Sequence, residues 1–152
     1  MSKISFFNKK SIALLMALAL VLSFALPASA APYSAQFLDS SGSPSAHASS
    51  YIDGGVVDIT GSAGNYTVTL KLKNFEPSFP LIPISYPSLY VDLNGAPTGD
   101  GTYEVAASKT VSGSYTYFTF SGVANLTDNL PVLLHVNVAG IHNQQYNLFL
   151  DY

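Results

Sequence analysis

From Tyr33 onward the chain consists of short stretches in which apolar and polar side chains alternate, separated by clusters of Gly, Asn, Ser and Pro. Tyr66, Val68, Leu70 and Leu72 interleave with Thr67, Thr69, Lys71 and Lys73, a period of two that turns one face of a strand to a core and the other to water. Val132, Leu134, Val136 and Val138 repeat the pattern and should also face the core, which leaves His135 exposed on the opposite side. Read this way, the sequence predicts strands at 33–38, 55–60, 66–73, 88–93, 102–109, 114–121, 132–138 and 144–151. Glu104 and Val105 are expected to pair with Tyr117 and Phe118 across a Ser112-Gly113 turn. Pro77, Pro80, Pro83 and Pro87 each lack an amide donor and fix φ, so 74–87 is expected to be a rigid loop. No amphipathic helix of useful length and no internal repeat interrupts the series, and the class implied is all-β, an antiparallel sandwich or barrel.

The first thirty residues follow a different rule. Lys3, Lys9 and Lys10 precede an apolar run from Ile12 to Leu26 that ends at Pro27 and Ala28-Ser29-Ala30. A charged start, an apolar middle and small residues at the end are the marks of a cleaved secretory signal peptide, so residues 1–30 are set apart from the fold and 31–152 are expected to form one domain. A membrane anchor needs about 20 apolar residues, more than this run supplies, and no second run of that length follows. The mature protein is therefore expected outside the cell or loosely associated with the envelope, without a transmembrane span.

Setting the leader aside changes the charge. All nine acids lie beyond it while only Lys71, Lys73 and Lys109 remain, so the mature part carries a net charge of −6, and there is no Arg. A chain so poor in cations has no surface for tracking phosphates, which excludes nucleic acid as a partner. Cysteine is absent although an oxidising compartment would allow disulfides, so the core alone must hold the fold. Both methionines fall in the leader. A soft metal or a haem iron would have to be held by His47, His135, His142 or a tyrosine.

Two segments carry candidate chemistry. Ser43-Pro44-Ser45-Ala46-His47-Ala48-Ser49-Ser50-Tyr51 suits one 3₁₀ or helical turn, on which His47 and Tyr51, four apart, share a side. The same composition also suits a solvated serine-rich loop with one incidental histidine. In the last hairpin Ala139-Gly140 helps to turn the chain, and His142 and Tyr146 then project from one face of the final strand, in line with Leu148 and Leu150. That places a half-polar edge on an apolar stripe, although a turn histidine and a snorkelling strand-end tyrosine would look alike.

Taken in order, these segments resemble the NEAT (near-iron-transporter) domain family, haem-handling modules of Gram-positive cell surfaces. The family's S-H-x-x-x-Y turn is matched by Ala46-His47 through Tyr51, its Gly-Tyr-type strand by Gly64-Asn65-Tyr66 onward, and its closing Y-x-x-x-Y strand by His142 through Tyr146, followed by Leu148-Phe149-Leu150-Asp151. The resemblance implies an immunoglobulin-like antiparallel β-sandwich with one short 3₁₀ or helical turn near the mature N-terminus, holding haem in a groove between that turn and the last hairpin. It places the axial iron ligand on His142, where the family has tyrosine, and the supporting tyrosine on Tyr146. It also places His47 over the opposite face as a candidate second axial ligand. Ala139-Gly140 stands where Val-Pro is usual, and Ala46 stands for a serine, which leaves Ser45, Ser49 or Ser50 as candidate partners of a haem propionate. Tyr51, Phe79, Leu81, Ile82 and Val136 are candidates for the porphyrin wall.

The function so implied is that of a secreted haemophore-like protein serving iron acquisition, with haem as cofactor and haemoproteins or other NEAT-domain surface proteins as partners. No enzyme is expected: there is no G-x-S-x-G elbow, no Cys and no paired-carboxylate motif. A zinc or copper site built on His47, His142 and a carboxylate lacks compact ligand spacing. The alternative reading is an adhesion module for a haemoprotein or a glycan, with Tyr86, Tyr90 and Tyr115 as exposed stacking platforms.

Overall fold

The computed structural model describes residues 30–152, and the leader expected at 1–30 lies almost wholly outside them. Two antiparallel sheets face each other across a single core, giving the immunoglobulin-like sandwich. The first runs in the order β1 (Ala31–Ser34), β3 (Ile52–Ser62), β4 (Asn65–Lys73), β10 (Tyr115–Val123), β9 (Ser108–Ser112). The second runs β2 (Gln36–Leu38), β12 (His142–Asp151), β11 (Leu130–Val138), β6 (Phe79–Ser85), β5 (Phe75–Glu76), with β7 (Leu89–Val91) also paired to β11 and extended by β8 (Val105–Ala106). The helical turn Ala46–Ser49 sits where the sequence placed it, between β2 and β3.

Alternation decides which side chains meet. Val68, Leu70 and Leu72 from β4 and Phe118 and Phe120 from β10 face Phe37, Val132, Leu134 and Leu150 of the other sheet, all nearly or fully shielded from water. Their wet faces carry threonine pairs, such as Thr69 against Thr119 at 3.1 Å, and Lys71, which bonds Asp53 at 2.7 Å and lies over the Tyr115 ring. At 25 cal/mol per Å², burial of such apolar side chains supplies about 1.5–3 kcal/mol each, and the chain has no cysteine to add a disulfide. At the β11–β12 turn, Gly140 takes φ +73°, a conformation that only glycine adopts at little cost, and Ile141 N–H closes the turn on the Val138 carbonyl at 3.0 Å.

Four expectations are corrected. The loop expected at 74–87 is instead a hairpin, with Phe75 opposite Pro83 and Glu76 opposite Phe79. It lies at a sheet edge, where Pro80 and Pro83 are exposed and a missing amide donor breaks no central ladder. The expected strand 102–109 is split: Val105 pairs with Val91 in one sheet, and Ser108 begins a strand in the other. Consequently Tyr117 and Phe118 oppose Thr110 and Lys109 rather than Glu104 and Val105, because the two-residue Gly113-Ser114 loop fixes the register from Ser112 opposite Tyr115. His135 does lie on the face opposite the core valines, yet it is half-buried rather than exposed, its Nε2–H donating to Asn143 Oδ1 at 2.5 Å.

Candidate functional site

The β11–β12 register builds one side of a groove. Val138 stands opposite His142, Val136 opposite Gln144 and Leu134 opposite Tyr146, so these side chains share one face of the sheet, continued by Leu148. The helical turn Ala46–Ser49 packs against β2 and β3 and brings Ser45, His47, Ala48 and Tyr51 to the other side. Leu134, Val136, Val138, Leu148 and the ring of buried Tyr86 complete the lining of a groove that encloses about 180 Å³ and opens to solvent. All five residues singled out in the sequence, Ser45, His47, Tyr51, His142 and Tyr146, line it together. Of the wall candidates, Tyr51 and Val136 do so as well. Phe79, Leu81 and Ile82 do not: they belong to the edge hairpin, where Leu81 is 97% exposed.

The polar side chains form two matching pairs. His47 and Tyr51 meet edge to face, ring centroids 5.3 Å apart and planes at 79°, with the phenol oxygen 3.4 Å from Nε2. His142 and Tyr146 meet likewise at 6.2 Å and 76°, with the oxygen 3.3 Å from Nε2. The first pair is four apart on a helical turn and the second four apart on a strand, so each shares a face by a different periodicity. Behind Tyr51 stands Glu76, whose carboxylate accepts a short bond from the phenol. Burial first, then the bond and the charge of Glu76, push the Tyr51 pKa far above its ordinary value, so its hydroxyl stays protonated. Tyr86 lies beneath the groove and donates to the Lys73 carbonyl at 2.7 Å.

Among the serines, Ser49 Oγ bonds the Phe37 backbone at 2.8 Å and 3.2 Å, and Ser50 Oγ donates to the His47 carbonyl at 2.7 Å. Ser45 makes no side-chain capping bond, and it is the one of the three that lines the groove. No lysine lines it: Lys71 is held by Asp53, and Lys73 donates to the Ser50 carbonyl at 2.9 Å. Among the described residues no three His, Cys, Asp or Glu side chains converge as a metal cluster. Nor does any helix among them have the length and apolarity to cross a membrane.

Glu76 escaped the sequence analysis, because its approach to Tyr51 depends on a hairpin read as a loop. Tyr86 is also corrected. It is 1% exposed, so it cannot serve as a stacking platform, and Tyr115 is half-buried under Lys71, which leaves Tyr90 as the exposed member of that set.

No protein-family model matches the chain, and no curated protein matches it. Among solved structures, the fold is similar to that of the NEAT5 domain of IsdX2, a B. anthracis hemophore in complex with heme, with a TM-score of 0.57 and 13% sequence identity over 81% of this chain and 95% of that one. At that identity the likeness speaks for architecture: the chain is a β-sandwich of the kind seen in that NEAT domain.

Proposed function

We propose that the chain is a NEAT-type haem-binding protein, exported by the leader at 1–30 and folded over 31–152, which carries haem in the groove between the helical turn and the last hairpin. The observation that carries this reading is the convergence of two imidazole–phenol pairs, from segments far apart in sequence, on one apolar groove. The residues fit the group. Imidazole is a competent ligand for haem iron, and Ala48, Leu134, Val136, Val138 and Leu148 offer apolar surface to a porphyrin face. Haem would supply the iron and a flat apolar disc. His142 would hold the iron, Tyr146 would support His142, and His47 is the candidate for a second ligand. A groove of about 180 Å³ that opens to solvent would take part of such a disc, with the carboxylate edge left in water. That edge needs no cation there, and Ser45 is the hydroxyl placed to meet it.

A haemophore role in iron acquisition, handing haem to or from haemoproteins and other NEAT-domain surface proteins, follows from this reading together with export. Absorption titration of the mature protein with haemin tests it. A saturable Soret band is expected, with affinity lowered at least about tenfold, or about 1.4 kcal/mol, in His142→Ala. Absence of saturable binding by the wild type sinks the proposal.

A further inference from the structure

The β11–β12 hairpin has a second broad face, turned away from the groove. Its register sets Asn137 beside Asn143, His135 beside Gln145, and Leu133 between Asn147 and Tyr90. Tyr103 joins them by donating its hydroxyl to the Asn147 amide oxygen at 3.1 Å, and Asn143 meets His135 Nε2 at 2.5 Å. Each of these two asparagines engages one end of its amide within the chain, which fixes the side chain and leaves the other end for a ligand. Tyr90, Asn143, Gln145 and Asn147 are exposed, and no acid, lysine or arginine stands in the row. In a mature chain with nine acids that absence is selective. Acids of the flanking loops are turned to backbone amides instead: Asp39 accepts those of Ser41 and Ser43, Asp92 those of Gly95 and Asp100, and Glu104 those of Leu93 and Asn94.

The row runs into a recess at each end. Phe149, on the same face of β12, lines one of about 230 Å³ together with the loops at 40–42 and 97–98 and Asn129. Asn137 and Ser85, paired across β11 and β6, line another of about 320 Å³ beside the Gly140 turn. Neither recess has a charged side chain in its lining. At about 3.3 Å per residue, the stretch from Asn143 to Phe149 spans about 20 Å. We infer that this face binds a neutral glycan chain lying along β12. Sugar hydroxyls both donate and accept, and side-chain amides answer them in both senses, while sugar C–H faces pack on rings such as Tyr90 and Phe149. No cation stands there to meet a carboxylate, sulfate or phosphate, and the net negative charge of the protein repels an anionic polymer. A protein partner would have to match the amides one by one or bury them unpaired, whereas a polyol offers a hydroxyl at every step. The site lies on the face opposite the groove, so it is independent of the haem reading.

Backbone amide shifts of the ¹⁵N-labelled mature protein, titrated separately with cellohexaose, mannohexaose and chitohexaose, test the site. At least one of these neutral chains is expected to give saturable changes over 133–137, 143–149 and 88–91. Hyaluronan, an anionic glycan, is expected to give none. Tyr90→Ala and Asn147→Ala, both at exposed positions, should each weaken the binding at least about tenfold, whereas Tyr90→Phe, which keeps the ring, should retain it. No saturable change with any of the three sugars overturns the inference, as do changes confined to the groove. Equal binding of hyaluronan overturns the assignment to a neutral ligand, and undiminished binding by both alanine variants overturns the placement. Haemin uptake by the same variants is expected to match the wild type, and its failure in the wild type would overturn the haem reading while leaving the sugar titration to decide this one.

Discussion

Replacing Tyr86 with Phe removes one oxygen atom from beneath the groove, and the structure dictates how the effect must vary with pH. The hydroxyl is buried and donates to the Lys73 carbonyl at 2.7 Å. Its loss at neutral pH removes a hydrogen bond with a net value of about 1 kcal/mol, so the wild type should be the more stable protein. Burial, and then the nearby Tyr51 and Glu76, raise the Tyr86 pKa far above the ordinary value, so the folded protein keeps a proton that the unfolded chain releases above about pH 10. The unfolded state then binds fewer protons than the folded one, and stability falls as pH rises. At pH 11 the linkage costs the wild type about 1.4 kcal/mol that the Phe variant does not bear. The wild-type advantage should therefore reverse to a deficit of about 0.4 kcal/mol between pH 7 and pH 11. Tyr51 and Tyr152 are raised too, the latter to about 12, but both proteins share them, so the difference isolates Tyr86. Urea unfolding followed by circular dichroism reads the effect; the chain has no Trp, and tyrosine emission would itself change with ionisation. A difference that stays constant from pH 7 to pH 11 would show that the Tyr86 hydroxyl reaches water.

Phe118→Ala empties a fully buried ring site between the sheets and should cost about 3–5 kcal/mol in urea unfolding, whereas a loss under 1 kcal/mol would contradict the packing. Asp92 is buried and accepts the Gly95 and Asp100 amides at 2.6 Å and 2.9 Å, so Asp92→Ala should cost about 1–3 kcal/mol. Hydrogen exchange should then accelerate over 93–100 first, and uniform acceleration would argue against a local fastening. Leu81→Ser, at a 97% exposed position away from the groove, should leave stability within about 0.5 kcal/mol and haemin uptake unchanged; a weakened uptake would return Leu81 to the porphyrin wall.

Strands with one wet face were legible in the sequence because a strict period of two leaves little choice, as at Tyr66–Lys73 and Val132–Val138. Both histidine–tyrosine pairs were legible for a related reason. A spacing of four keeps side chains together on a helical turn and on a strand alike, so the grouping holds whichever element forms. What the sequence concealed was register between distant segments. Glu76 becomes a partner of Tyr51 only because β5 and β6 pair through a proline-rich edge, and proline there reads as a loop until the edge is seen. The sheet change at Ala107 was hidden in the same way: Val105 and Phe118 each satisfy a strand pattern, but nothing local says that they pair with different neighbours. Tyr86 was read as exposed, whereas its ring packs into the core and its hydroxyl is satisfied by the distant Lys73 carbonyl, a pairing that no local pattern announces.

The central claim concerns where the ligand sits, and backbone amide shifts of the ¹⁵N-labelled mature protein on addition of gallium protoporphyrin, a diamagnetic stand-in for haem, test it most directly. The account predicts saturable changes grouped over 45–51, 84–86 and 134–148, the segments that build the groove. Changes grouped instead on the threonine-bearing face around Thr69 and Thr119, or no saturable change at all, would contradict it.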